Sequence, residues 1–166
     1  MGSTYSIEAW SDFAVMTGGA SAALAGLLIV AMSINVEQIL AFADLPERAA
    51  AALIAVLTPL VVAVLLLVPG QPPELLGVEL AVLGVLLGWG LLGHLVRFGG
   101  HSTQTVRQWA VGTLGPVVIL VGGLILAGVG IGTTTIGGLA WPAPAVIAAV
   151  LSGTAQAWVL LIEIRR

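Results

Sequence analysis

Residues 108–162 read QWAVGTLGPVVILVGGLILAGVGIGTTTIGGLAWPAPAVIAAVLSGTAQAWVLLI and contain no Asp, Glu, Lys or Arg. The stretch is about 55 residues long, more than twice the ~20 apolar residues that carry one helix across hydrocarbon. Two helices can use it if the chain turns near its middle. Gly128, Gly130 and Gly132, followed by Thr133 to Thr135 and then Gly137 and Gly138, supply that break, because glycine is the weakest ordinary helix former and punctuates apolar patterns. The pattern predicts helices over 110–131 and 142–162. Pro142 and Pro144 fall early enough in the second to sit in its first turn, where a missing N–H breaks no bond.

The same reading extends towards the N-terminus. An apolar run at 13–34 is about 33 Å of helix, enough to cross. A cleaved signal peptide needs a basic leading region, whereas the first twelve residues hold Glu8 and Asp12 and no basic residue, so this run is expected to stay as a first span. A second run at 49–68 is opened by Asp44, Leu45, Pro46 and Glu47, a capping-box-like start. It is closed by Pro69-Gly70-Gln71-Pro72-Pro73, which removes donors and fixes backbone angles that a helix interior does not tolerate. A third run at 75–96 stops before Arg97 and the pair Gly99 and Gly100. The predicted fold is an all-α integral membrane protein, a single membrane domain over 1–166 formed by a bundle of five transmembrane helices.

Composition supports this. Of the 166 residues 59% are hydrophobic and 8% charged, against about 25% charged in an ordinary soluble domain. Absence of Cys excludes disulfides, thiolate nucleophiles and thiolate metal sites. The chain has no Lys, and its five Arg are scattered, which excludes a nucleic-acid-binding stripe. No nucleic-acid partner, no cofactor, no metal and no enzymatic activity are expected.

The Arg residues also orient the bundle. Arg48, Arg97, Arg107, Arg165 and Arg166 all fall in the second, fourth and last non-membrane segments. Basic residues in short loops stay on the cytoplasmic side, which places the N-terminus outside and the C-terminus in the cytoplasm. Trp10, Trp109, Trp141 and Trp158 fall near predicted span ends, where indole rings prefer to lie. Trp89 falls well inside the third span and reads as a packing or interface residue.

Helices in lipid choose partners by close backbone approach and by polar contacts. Gly18, Ala22 and Gly26 recur every four residues in the first span, beside Gly19 and Ala23, and Gly84 and Gly88 repeat the spacing in the third. The first strip is expected to make the tightest helix contact, and either strip can serve packing within the chain or contact with a neighbour. Pro59 and Pro116 are expected to kink the second and fourth spans.

Glu79 is the acidic residue clearly within a span, about one turn into the third. A carboxylate there must be protonated, paired or within reach of headgroups, so it reads either as an interfacial helix-starting residue or as a proton or ion site. Asn35, His94 and Gln156 fall on the inner side and permit a polar cluster. His101, seven residues after His94, adds no recognisable metal pattern. Ser21, Thr17 and Ser33, with Ser152, Thr154 and Gln156, could line a narrow polar passage or bond carbonyls within their own helices. Past the first span, Val36, Ile39, Leu40 and Ala43 form an amphipathic extension to 43 without basic residues, which favours contact with protein over anionic lipid.

Trp10 with Phe13, the 19–27 block GASAALAGL, Ser33-Ile34-Asn35, Leu45-Pro46 with Arg48-Ala49, and Pro69-Gly70-Gln71 followed by Gly77 and Glu79 carry a resemblance. Over its first half the chain resembles small uncharacterised bacterial multi-pass membrane proteins, some of them labelled modulators of a membrane protease. The resemblance implies a place in the bacterial inner (cytoplasmic) membrane and transfers no catalytic or binding residue. The functional expectation is a non-enzymatic structural or regulatory membrane protein, in contact with membrane lipids, that associates with itself as a homo-oligomer or with another membrane protein. The alternative is an oligomeric ion channel or small transporter in which Glu79 and the kinked helices contribute to the pathway.

The topology is open to a direct check. Tags at the two ends of the chain, probed in intact cells, are expected to react from opposite sides: the N-terminal tag from outside, the C-terminal tag only after permeabilisation.

Overall fold

The computed structural model describes residues 10–42, 45–98, 115–133 and 138–163, without the side chains at 91, 92, 94–98, 159–161 and 163. Along them run α1 (Ser11–Ile34), α2 (Val36–Leu40), α3 (Leu45–Leu66), α4 (Pro73–Phe98), α5 (Gly115–Thr133), a 3-10 turn (Gly138–Ala140) and α6 (Pro142–Glu163). No strand occurs among the described residues. Five helices, α1, α3, α4, α5 and α6, are long and apolar enough to cross a membrane.

The helix ends follow from local chemistry. Pro46, Pro73 and Pro142 all stand in first turns, where proline's fixed φ suits the helix and its missing N–H is not needed. Pro116 is the second described residue of α5; residues 110–114 of the expected span lie outside the described residues, and with them the turn that a kink at Pro116 would bend. Between α3 and α4 the chain reverses at Gly70, whose φ of 69° suits a residue without Cβ.

The amphipathic extension does not continue α1. Asn35 leaves the helical region with φ −110° and ψ 20°, its N–H turning back to Met32 O at 3.2 Å and its Nδ2 donating to Ala31 O at 2.7 Å. With its side chain competing for the carbonyls of the last turn, Asn35 ends α1 and a separate short helix follows. Ile39 of that helix is buried beside Leu45, Ala49 and Met32, while Val36, Leu40 and Phe42 stay exposed. Position 43 lies outside the described residues.

α4 and α5 run antiparallel, Gly77, Gly84 and Gly88 meeting Gly128, Leu124 and Val121 in reverse order, and α1 and α3 do the same at Gly18 with Ala63 and Ser21 with Val56. α1 lies on α3, α3 on α6, α6 on α5 and α5 on α4, whereas α3 and α4 touch only lightly, as do α1 and α6. The closest approach belongs to α4 and α5. A Cβ added at Gly128 would run into the Gly77 carbonyl and come within 2.8 Å of the Ala81 Cβ and amide nitrogen; one added at Gly77 would lie 2.8 Å from the Gly128 carbonyl. Two backbones meet there with no side chain between them, the arrangement by which apolar helices gain the most dispersion contact. Further along, Gly84 faces Leu124 and Ile125, and Gly88 faces Val121.

Along the α1–α3 seam the contact residues are Ala14, Gly18, Ser21, Ala25 and Leu28. Ser21 donates to the Val56 carbonyl across the seam. That carbonyl sits one residue beyond Ala55, whose own carbonyl Pro59 cannot serve for want of an N–H. Behind it, Gly153 of α6 comes up to Val56 so closely that a Cβ would lie 3.1 Å from the Val56 nitrogen. The centre is filled by Leu76, Leu80, Leu120, Leu124 and Leu139, each almost wholly buried.

Gly128→Ala is expected to destabilise the bundle by about 1–3 kcal/mol, the usual cost of forcing extra volume into a filled contact. Gly26→Ala, where nothing lies within 4 Å, should stay within about 0.5 kcal/mol of the parent. Ser21→Ala is expected to cost about 1 kcal/mol through its lost interhelical bond. Reversible unfolding in mild detergent, followed by circular dichroism, measures all three.

Candidate functional site

The polar pair with most chemical potential joins the α3–α4 turn to α4. Glu79 lies two residues on from Gly77, about 200° around the helix, and so on the flank facing away from α5. It is half-buried, next to the fully buried Leu80. The turn folds back so that Gln71 Nε2 donates to Glu79 Oε2. The other end of the same amide, Gln71 Oε1, is buried and accepts no hydrogen bond. Buried polar atoms are paired in the great majority of cases, so this oxygen marks the position as unusual. Glu79 had been readable from the sequence as a charge inside an apolar run. Gln71 had not: it stands among prolines and a glycine, where it reads as part of a turn, and only the reversal at Gly70 brings it within reach of a residue eight positions away.

The two small-residue strips do not meet. In α1 Gly18 faces α3, where an added Cβ would lie 2.9 Å from the Ala63 Cβ, but Ala22 and Gly26 are exposed, and a Cβ at Gly26 would touch nothing. The strip winds outward because positions four apart advance about 40° around a helix beyond one turn. The residues that stay on the seam alternate spacings of four and three, as at Ala14, Gly18, Ser21, Ala25 and Leu28. Gly84 and Gly88 both face α5, at 3.2 Å from the Leu124 Cβ and 3.1 Å from a Val121 methyl for an added Cβ.

Of the proposed inner cluster, Asn35 spends its amide on Ala31 O of its own helix, Gln156 is half-buried in α6, and the His94 side chain lies outside the described residues, as does His101. No hydrogen bond joins Asn35 to Gln156 among the described residues. The hydroxyls behave similarly. Thr17 bonds Phe13 O, Ser33 bonds Ile29 O, Thr58 bonds Ile54 O, Ser152 bonds Ala149 O and Thr154 bonds Val150 O, each one turn back in its own helix. Ser21 alone among these reaches across.

Trp10 stacks edge-on against Phe13 with ring centroids 5.5 Å apart, and Trp141 packs against the main core. Trp89 is 86% exposed, which excludes a packing role within the chain. Among the described residues no three His, Asp or Glu side chains gather in a way that could hold a metal ion. Compared with protein-family models, with curated proteins and with solved structures, the chain matches none.

Proposed function

We propose that this chain is a non-enzymatic structural or regulatory protein of the bacterial cytoplasmic membrane, crossing it five times with the N-terminus outside and the C-terminus inside, and acting through helix-helix association with a second copy or another membrane protein. The outward face of α1 carries this reading. In its most apolar stretch only 28% of residues are buried, against 50% in α3 and in α5. Along the exposed side run Gly19, Ala22, Ala23, Gly26 and Ser33, and added Cβ atoms at Gly19 and Gly26 would have nothing within 4 Å.

α4 is as little buried as α1, and both helices expose bulky side chains, Val15, Met16, Leu27, Val30 and Ile34 on α1 and Val78, Val82, Val85, Leu86 and Trp89 on α4; α1 adds to these the exposed small residues Gly19, Ala22, Ala23 and Gly26. Bulky branched side chains interdigitate with acyl chains, whereas a groove of missing side chains is filled best by another helix. The exposed set Gly19, Ala22, Ala23 and Gly26 favours α1 as the association surface. The alternative reading, an oligomeric channel using Glu79, would need a pathway between copies, since the leucine core closes the interior of one.

The expected outcome in mild detergent is a mass distribution that is a multiple of the 16.8 kDa chain, or a stable complex with a membrane partner from native membranes. Gly26→Leu, which enters open space and should leave the fold alone, is expected to abolish it. A strict monomer that captures nothing would remove the proposal.

A further inference from the structure

Gln71 donates an N–H to Glu79 Oε2, and the carbonyl oxygen of the same amide is buried and unmatched. An ionised carboxylate offers acceptors alone, so with Glu79 charged the pair sets one amide N–H among three oxygens and leaves a buried acceptor with nothing to accept. Adding one proton changes the balance. A neutral carboxyl has an O–H to give and a carbonyl to receive, the same complement as a primary amide in reverse, and the two can close on each other with both buried oxygens satisfied.

We propose that Gln71 and Glu79 form a proton-binding site, in which the protonated Glu79 carboxyl and the Gln71 amide pair through two reciprocal hydrogen bonds. The proton comes from water at that end of the bundle and ends on the Glu79 carboxyl oxygen that Gln71 Nε2 does not bind, from where it can be donated to Gln71 Oε1; no other covalent bond forms or breaks. Its arrival fastens the α3–α4 turn to α4 through two bonds, and its loss leaves one bond and an unmatched buried oxygen, so the turn loosens. This side-chain tie matters because Val68, Pro69, Gly70 and Pro72 are exposed and Pro69 and Pro72 bring no N–H to hold the segment down; the backbone contributes the bonds from Leu75 and Leu76 N–H to Pro72 O at 3.1 and 3.2 Å. The charged groups at this end among the described residues are Glu74 on α4 itself and Asp12 on α1, both exposed; the parts of α3, α5 and α6 that reach it carry no titratable side chain. The inference is independent of the association proposed for α1.

A chain without cysteine allows a single spin label at Pro69→Cys in phosphatidylcholine nanodiscs. The label is expected to be immobile at low pH and to loosen as pH rises. In Glu79→Gln, whose amide can pair with Gln71 without a proton, it should stay immobile throughout; in Glu79→Ala it should be mobile throughout. Mobility unresponsive to pH, an unchanged response in Glu79→Gln, or a response to sodium at constant pH would each overturn the proposal. Infrared spectra of the otherwise unaltered chain serve if the labelled variant does not fold: a protonated-carboxyl band that Glu79→Gln removes, and whose frequency Gln71→Leu shifts through the lost hydrogen bonds, is expected, and the absence of any Glu79-dependent band overturns it.

Discussion

The arrangement rests on how near two helix backbones can come when neither carries a charge. Between long apolar helices a hydrophobic side chain gains little by exchanging a lipid neighbour for a protein one, so contact area has to come from proximity. Gly77 and Gly128 supply the limiting case, backbone against backbone. Around that point Ala81, Gly84 and Gly88 continue the seam on one side, and Leu124, Ile125 and Val121 fill it from the other. The remaining seams repeat the device more loosely: Gly123 against Ala145, Gly153 against Val56, Gly18 against Ala63.

Hydrogen bonding adds direction to this packing in one place. Most hydroxyls turn inward on their own helices, which costs little and selects no neighbour. Ser21 instead donates to a carbonyl of α3 next to the turn that Pro59 weakens. The Ser21 bond to Val56 therefore marks one register of α1 along α3.

Much of the architecture was legible from residue types alone. Apolar runs bounded by Pro46, by Pro69 to Pro73 and by Pro142 located α3, α4 and α6, because proline's effect on backbone angles is local and does not wait for a tertiary partner. Which face of each helix looks inward was not legible. Gly18, Ala22 and Gly26 share a spacing, but a spacing of four drifts around the helix, and only contact with Ala63 and Val56 decides that Gly18 and Ser21 turn in while Gly26 turns out. Gln71 escaped notice for a related reason: its partner, Glu79, is chosen by the path of the turn at Gly70. The end of α1 at Asn35 was likewise hidden, since an amphipathic pattern continued past it.

The unequal seams also bear on how the chain is made. α1 and α3 pair as one hairpin and α4 and α5 as another, with little joining α3 to α4. α6 lies against both α3 and α5, and it follows both hairpins along the chain. Until it arrives, the faces around Val56 and Gly123 have no occupant, and the two hairpins are free to shift past one another. α6 is thus the keystone of the two hairpins: a nascent chain halted before it would present these vacant seams to whatever quality-control machinery patrols the membrane.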